Sequence, residues 1–358
     1  MADTRAATGL TVQQWDDRFF TEYLQENLFR PYMGTDENSV IQLKDDLSKK
    51  AGDSLTFALV NKLVGAGVTG TNTLEGNEED MVSRSFRVYV DKIRHGVRVA
   101  EMEEQRSAID LRNAARSTLK VWMMEKTRDD LIDALGSING TVYASADATA
   151  RNAWMVDNSD RVLIGALKSN YSATHATALA NVDNTDDKLT PAAISLMKRI
   201  ALEANPRVRP ITVDGGERHY VMFCGTRTFR DLSLNTTMTQ ANREARVRGL
   251  DNPLFKGGDL IWDNVIVKQI DDIPNYAAGA AGIDISPVYL CGAQALAVAY
   301  AKRTTSRTEV FDYGDKNGVA IEEIRGIEKM IFGSGSTDTA DTKDHGVVTG
   351  WFASVADA

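Results

Sequence analysis

Leu55-Thr-Phe-Ala-Leu-Val60 and Phe86-Arg-Val-Tyr-Val-Asp-Lys-Ile-Arg-His-Gly-Val-Arg-Val99 frame a segment made of turn residues and acids. The second stretch alternates apolar and polar side chains at a period of two, the pattern of a strand with one covered face. Together they predict one long β-hairpin running from Leu55 to Val99. Its tip, Gly65 to Asp80, carries almost no apolar side chain and cannot form a core of its own. Such a hairpin buries little within its own subunit. The sequence therefore predicts a neighbouring subunit as its cover, and a tip that is mobile until something binds it.

Directly afterwards, Glu101 to Leu135 reads as one uninterrupted helix. Leu111, Ala115, Leu119 and Trp122 recur at helical spacing, continued by Met124, Leu131 and Leu135, with Arg112, Lys120, Lys126 and Arg128 between them. Gly136 is a plausible stop. At about 1.5 Å per residue the helix would be roughly 50 Å long, enough to serve as a strut across a subunit.

The chain has 358 residues, 43% of them hydrophobic, which supports a sizeable core arranged as two domains or as one with large extensions. A formal charge of −9 argues against a general nucleic-acid binder, which needs a clustered excess of Lys and Arg. Cys224 and Cys291 are the only cysteines, and Met1 to Thr8 has no signal-like apolar core, so synthesis in a reducing cytosol is expected. The most apolar stretch, Val288 to Ala301, is too short for a membrane helix of about 20 residues and reads as a buried helix or strand.

Before the hairpin, Trp15, Phe19, Phe20, Tyr23 and Leu24 lie in a helix-like stretch that leads to Pro31-Tyr-Met-Gly34, an extended arm whose aromatics want a partner surface. No block of charged heptads precedes it, so no cleavable internal scaffold is expected. Beyond the strut, Ser137 to Asp187 is rich in Ala, Ser, Thr and Asn and reads as irregular surface structure or a small insertion. Thr190 and then Pro191 open a helix to Ala204, ended by Asn205-Pro206. A strand at His219 to Cys224, a short helix at Thr226 to Leu232 and two strands around an Asp263-Asn264 turn come next. Strands at Ile283 to Cys291, Val319 to Ile324 and Val347 to Phe352 complete an α+β order without a βαβ rhythm.

Gly65-Ala-Gly-Val-Thr-Gly70 matches the dinucleotide fingerprint, but a turn-rich, acidic run stands where a helix should open, so a hairpin tip is the better reading. His95, His175, His219 and His345 form no spaced pair and read as surface or packing residues, with no metal site. Adjacent acids such as Asp129-Asp130, Asp186-Asp187 and Asp271-Asp272 read as solvated charge. The arginines from Arg207 to Arg248 read first as a solvated face, then as inter-subunit ion pairs, and last as DNA contacts. No phosphate-binding loop or nucleophile elbow occurs, and no catalytic residue or cofactor is expected.

Taken together these segments resemble the major capsid proteins of tailed bacteriophages. The matching pieces are Leu74-Glu-Gly-Asn-Glu-Glu79, Val88-Tyr-Val-Asp-Lys-Ile-Arg-His95, Arg209-Pro-Ile-Thr212, Tyr220-Val-Met-Phe223 with Arg230-Asp-Leu232, and Asn252 to Val267. Their order covers most of the chain. The resemblance implies the α+β fold of that family, with an N-terminal arm (1–50), an extended hairpin loop (51–100), a peripheral domain carrying the spine helix (101–189 and 316–358) and an axial domain (190–315). Leu74, Glu75, Gly76, Asn77, Glu78, Glu79, Asp91 and Arg94 would then belong to the inter-subunit loop, and Trp15, Phe19, Phe20 and Tyr23 to the clamping arm.

The implied function is a non-enzymatic shell subunit, self-assembling as hexamers and pentamers into the icosahedral virion capsid around double-stranded DNA. Assembly would take place in the bacterial host cytoplasm, with scaffold, portal and decoration proteins as possible partners and no membrane. A nanocompartment shell of the same fold is the nearest alternative, and a nucleotide-dependent enzyme using Gly65 to Gly70 the second. Where the family favours a His-Pro-like pair at one strand–helix junction, this chain has Cys224-Gly225. Lys62 and Lys92 flank the hairpin tip, but no partner Asn marks a covalent crosslink.

Overall fold

The computed structural model describes residues 28–45, 52–60, 65, 67–71, 73–79, 83–106, 111–213, 216–245, 260–333 and 341–357. Trp15, Phe19, Phe20, Tyr23, Lys62 and the first part of the Asn252 to Val267 motif lie outside the described residues. The order opens with strands β1 (Met33–Gly34), β2 (Ile41–Lys44), β3 (Ser54–Val60), β4 (Ser83–Tyr89) and β5 (Asp91–Ala100). Helices α1 (Glu101–Arg106), α2 (Leu111–Gly136) and α3 (Ala148–Asp157), strand β6 (Val162–Ile164), and helices α4 (His175–Ala180) and α5 (Pro191–Glu203) come after them. Next are β7 (Ile211–Thr212), β8 (Arg218–Cys224), α6 (Thr226–Leu234), α7 (Thr236–Ala245), β9 (Leu260–Trp262) and β10 (Val265–Gln269). The chain closes with β11 (Tyr276–Ala277), β12 (Asp284–Cys291), β13 (Leu296–Phe311), β14 (Lys316–Lys329), β15 (Ile331–Gly333), β16 (Thr342–Asp344) and β17 (Val347–Ala353).

Two larger sheets organise most of these strands, and β3–β4 and β15–β16 form separate two-stranded ribbons. One runs β6-β17-β12-β8-β10-β9 and mixes parallel and antiparallel pairs. Helix α5 covers one of its faces, seating Ile194, Met197 and Ile200 against Met222, Val265, Val288 and Phe352. Its start is as the sequence predicts: Pro191 stands at the first helical position and the Thr190 hydroxyl accepts from Ala193 N. Asp263 and Asn264, both in the left-handed region, turn β9 into β10 as an Asn/Asp pair can. At Cys224-Gly225 the strand still hands over to a helix, with the Gly225 carbonyl accepting from Phe229 N and Thr228 Oγ1.

The second sheet is β1-β2-β13-β14-β5. Val319 and Ile321 of β14 meet Leu119 and Met123 of α2 on one face. The C-terminal half of α2 belongs to a second core, where Leu131 and Leu135 join Phe223 and Tyr289 of the first sheet to Leu296 and Val298 of the second. A Cβ at Gly136 would lie 2.8 Å from the Tyr289 hydroxyl, so a larger residue there must push the buried Tyr289 side chain aside. The helix thus acts as a strut between sheets, and Met123, at helical spacing from Ala115 and Leu119, is fully buried where Trp122 and Met124 are only partly so.

Three expectations need correction. The Leu55–Val99 hairpin is shorter than its alternation suggested: β3 pairs with β4 only, and after Val90 the chain enters β5, which pairs with β14. A period of two reveals a covered face but not the partner strand, so one run can span two sheets. The hairpin base is also covered by its own subunit, since Leu55, Phe57, Phe86 and Val88 pack on Ala297, Ala299, Met330 and Phe332. Finally, Ser137 to Asp187 is no surface insertion. Trp154, Met155, Val162, Ile164 and Leu179 form a core with Ile285 and Trp351, and β6 extends the first sheet. Its helices and strand are too short, and its helices too rich in Ala, to show a period.

Candidate inter-subunit surface

The hairpin tip is built by local hydrogen bonds. Asn77 N donates to Leu74 O at 2.9 Å, and Gly76, at φ +84°, supplies the left-handed corner of that turn. Asn77 Nδ2 donates to Thr73 O at 3.0 Å, Gly76 N to the Glu78 carboxylate at 2.7 Å, and Gly65 N to Glu79 at 2.6 Å. The result presents Leu74, 60% exposed, among the exposed carboxylates of Glu75, Glu78 and Glu79. Gly65 to Gly70 leads into turn and irregular backbone at Thr71 and Thr73 to Glu79, so no helix N-terminus stands there to hold a pyrophosphate.

Asp91 and Arg94, which the resemblance groups with this loop, stand in β5, on opposite faces of the second sheet because their separation is odd. Asp91 lines a cleft against α2 with Asp130 and Asp133. Arg94 lines a groove of about 350 Å³ on the face away from α2, with Arg98, Arg307 and Phe311. Sequence reasoning missed Arg98, although Arg94, Gly96 and Arg98 share a face at the strand's period of two.

At one end of this groove Glu322 is nearly buried and gathers three cations. Lys302 pairs with it closely, Lys92 Nζ lies at 2.8 Å and Arg307 Nε at 2.8 Å. The Lys302 ammonium, joined by Lys92 and Arg307, pulls the carboxyl from 4.5 down to about 2. Because the folded value lies below the unfolded one, this contribution is fully present above about pH 4.5 and is lost as pH falls toward 2. Glu322→Gln should therefore unfold at lower urea than the parent at pH 6, with the gap closing by pH 2 to 3. His175 and His345, held near 4 by burial, also destabilise the fold in acid but in both proteins alike, so the difference isolates Glu322. A gap unchanged between pH 6 and 2.5 would sink this assignment.

Behind the groove, β14 is bolted to the strut. Arg325, buried, donates to Thr127 Oγ1 at 2.6 Å and to Asp130 at 2.7 Å, while its Nε lies 3.3 Å from Glu323. Burial raises the Glu323 carboxyl, which accepts from Thr304 Oγ1 at 2.6 Å. Asp130 is thus structural, and so is Asp187, which accepts from Ala166 N and Asp183 N, where the sequence suggested solvated acids. Arg227 pairs with Asp284 and Arg230 with Asp231 and Asp357, all within the subunit. Arg227 and Arg230 find Asp284 and Asp357 far along the chain, so the run of arginines looked merely solvated. The histidines pack as expected, His95 on Trp122 and His175 among Tyr143, Trp154 and Trp351.

The described residues thus comprise two packed sheets, a strut between them and a hairpin whose tip stays exposed. A family model described as phage capsid protein matches residues 3–355, and the chain belongs to that family. It is 28% identical over 372 aligned residues to the major capsid protein of Pseudomonas phage KPP25, across 95% of this chain and 94% of that protein. Among solved structures, the Cyanophage Pam1 capsid asymmetric unit superposes with a TM-score of 0.82 at 38% identity over the whole of both chains. The capsid of Ralstonia phage GP4 gives 0.75 at 25% identity, covering 93% of this chain and 92% of that one. These relatives are structural shell proteins of phage heads, neither enzymes nor nanocompartments, and the α+β capsid fold and head-shell role expected from sequence hold for this chain.

Proposed function

We propose that the subunit assembles as hexamers and pentamers of an icosahedral head around double-stranded DNA, with the segment Leu74 to Glu79 laid on a neighbouring subunit. The observation that carries this reading is the contrast within the hairpin: its base is buried by its own subunit, while the tip exposes Leu74 and buries almost nothing. In the same reading residues 1–50 act as an arm, with Trp15, Phe19, Phe20 and Tyr23 gripping adjacent subunits. Residues 51–100 form the extended loop, 101–189 with 316–358 the peripheral domain, and 190–315 the axial domain. Scaffold, portal and decoration proteins complete the particle in the host cytoplasm. Many weak contacts per subunit then replace any single tight interface.

Deleting residues 65–77 tests it. The shortened subunit should keep its fold, judged by circular dichroism and thermal unfolding, because none of the tip's described residues belongs to a core. It should form no closed shells in negative-stain electron microscopy under conditions where the parent does. Intact shells from the deletion would count against the tip as an assembly element.

A further inference from the structure

The face of the second sheet turned away from α2 carries a groove lined by arginines and small residues. Across β5 and β14, Gly96 stands opposite Ala320, Arg98 opposite Gly318, and Arg94 opposite Glu322. Gly96, Gly318 and Ala320 make a low floor, over whose end Phe311 lies so closely that a Cβ on Gly318 would be 2.7 Å from its ring. Arg94, Arg98 and Arg307 rise around that floor. Arg98 stacks on Phe311, its guanidinium 5.2 Å from the ring centre, and Arg307 is held by Glu322. Arg94 is exposed and makes no ion pair among the described residues. The chain as a whole carries a formal charge of −9, so this is a local reversal of sign.

An occupant that complements such a groove needs one apolar side chain for the floor and Phe311, flanked by carboxylates for the arginines. The hairpin tip meets that description, with exposed Leu74 opening a turn that is followed by exposed Glu75 and Glu78. The turn is already closed by its own hydrogen bonds, so little entropy is lost when it docks. A phosphate backbone fits less well, because it has no apolar group for Phe311 and would meet the carboxylates of Glu309 and Glu322 that share the groove.

Resting on the reading that the tip crosses to a neighbour, we propose that the groove of Arg94, Gly96, Arg98, Gly318, Ala320 and Phe311 receives Leu74, Glu75 and Glu78 of a second copy of this chain. Leu74 covers the small-residue floor beside Phe311, and the two glutamates face Arg94 and Arg98. Neither arginine is buried by its own subunit, so both keep their charge available for the contact.

Charge exchange tests the assignment. The pair Glu75→Arg with Glu78→Arg should abolish closed shells, and so should Arg94→Glu with Arg98→Glu, each in a subunit shown to be folded by circular dichroism. Combining all four restores the sign relation and should restore shells. As a second measurement, Leu74→Cys with Ala320→Cys in the full chain, oxidised by oxygen with copper-phenanthroline, should give a ladder of disulfide-linked subunits on a non-reducing gel. Cys224 and Cys291 are fully buried and should add no background. If the tip reversal abolishes shells while the four-fold variant stays unassembled and no ladder forms, the groove assignment is overturned and the crossing hairpin survives. If the tip reversal leaves shells intact, the crossing hairpin fails and the groove assignment with it.

Discussion

Lys329→Met should lower the stability of the unassembled subunit by about 3–5 kcal/mol, the range for stranding one member of a buried ion pair. Lys329 Nζ lies 2.7 Å from Asp344 Oδ2, and each side chain is only 1% exposed. Trp154 Nε1 donates to the same oxygen at 3.2 Å, and the lysine sits over the Trp154 ring at 5.5 Å. Without the lysine the carboxylate keeps one weak donor in a region closed to water. Losing the paired charge of a buried carboxylate is unfavourable. Lys329→Met with Asp344→Leu should recover much of the loss, since removing both charges ends the mismatch and leaves only the Trp154 N–H without its acceptor. Urea unfolding of the two variants beside the parent decides it. A loss below about 1 kcal/mol for Lys329→Met, no more than an average substitution, would mean the pair adds little.

The second large effect falls on assembly. A Cβ at Gly326 would sit 2.0 Å from the carbonyl oxygen of Tyr89 and 2.9 Å from its carbonyl carbon, closer than any real side chain approaches backbone. Tyr89 is the last residue of β4, so this contact is where the hairpin crosses over β14 before the chain enters β5. Only glycine lets the two backbones pass at that distance. Gly326→Val must push the hairpin base away from the sheet. The cores of the first sheet do not touch this point, so the subunit should stay folded at a loss of about 1–3 kcal/mol, as for other overpacked sites. The tip, some fifteen residues from the pivot, would be displaced much further than the base, and shells should fail to close. Electron microscopy of Gly326→Val beside the parent tests this, and normal shells would show that the pivot does not set the hairpin's course.

Much of the local structure could be read from residue order. The cap and proline at Thr190-Pro191, the turn at Asp263-Asn264, the strut face through Leu119, Leu131 and Leu135, and the strand at His219 to Cys224 all carry their cause within a few neighbours. The tip could be read for the same reason: a run with turn residues and acids but no apolar set cannot make a core, whatever surrounds it. The ordered motifs then pointed to the family, which the comparison with phage capsids bears out.

What the tertiary structure alone decided depends on pairs distant in sequence. Which strand covers Phe86 and Val88, and which pairs with Asp91 to Ala100, was hidden because alternation reports a face and never its partner. The ion pairs Arg325–Asp130, Lys329–Asp344 and Arg227–Asp284 join residues 195, 15 and 57 positions apart, so no local pattern in the sequence announces them. Gly326 was one glycine among 27 until Tyr89 was found against it. Periodicity and capping are properties of a segment and survive in one dimension, whereas partner choice, burial of charge and close backbone approach exist only once segments meet.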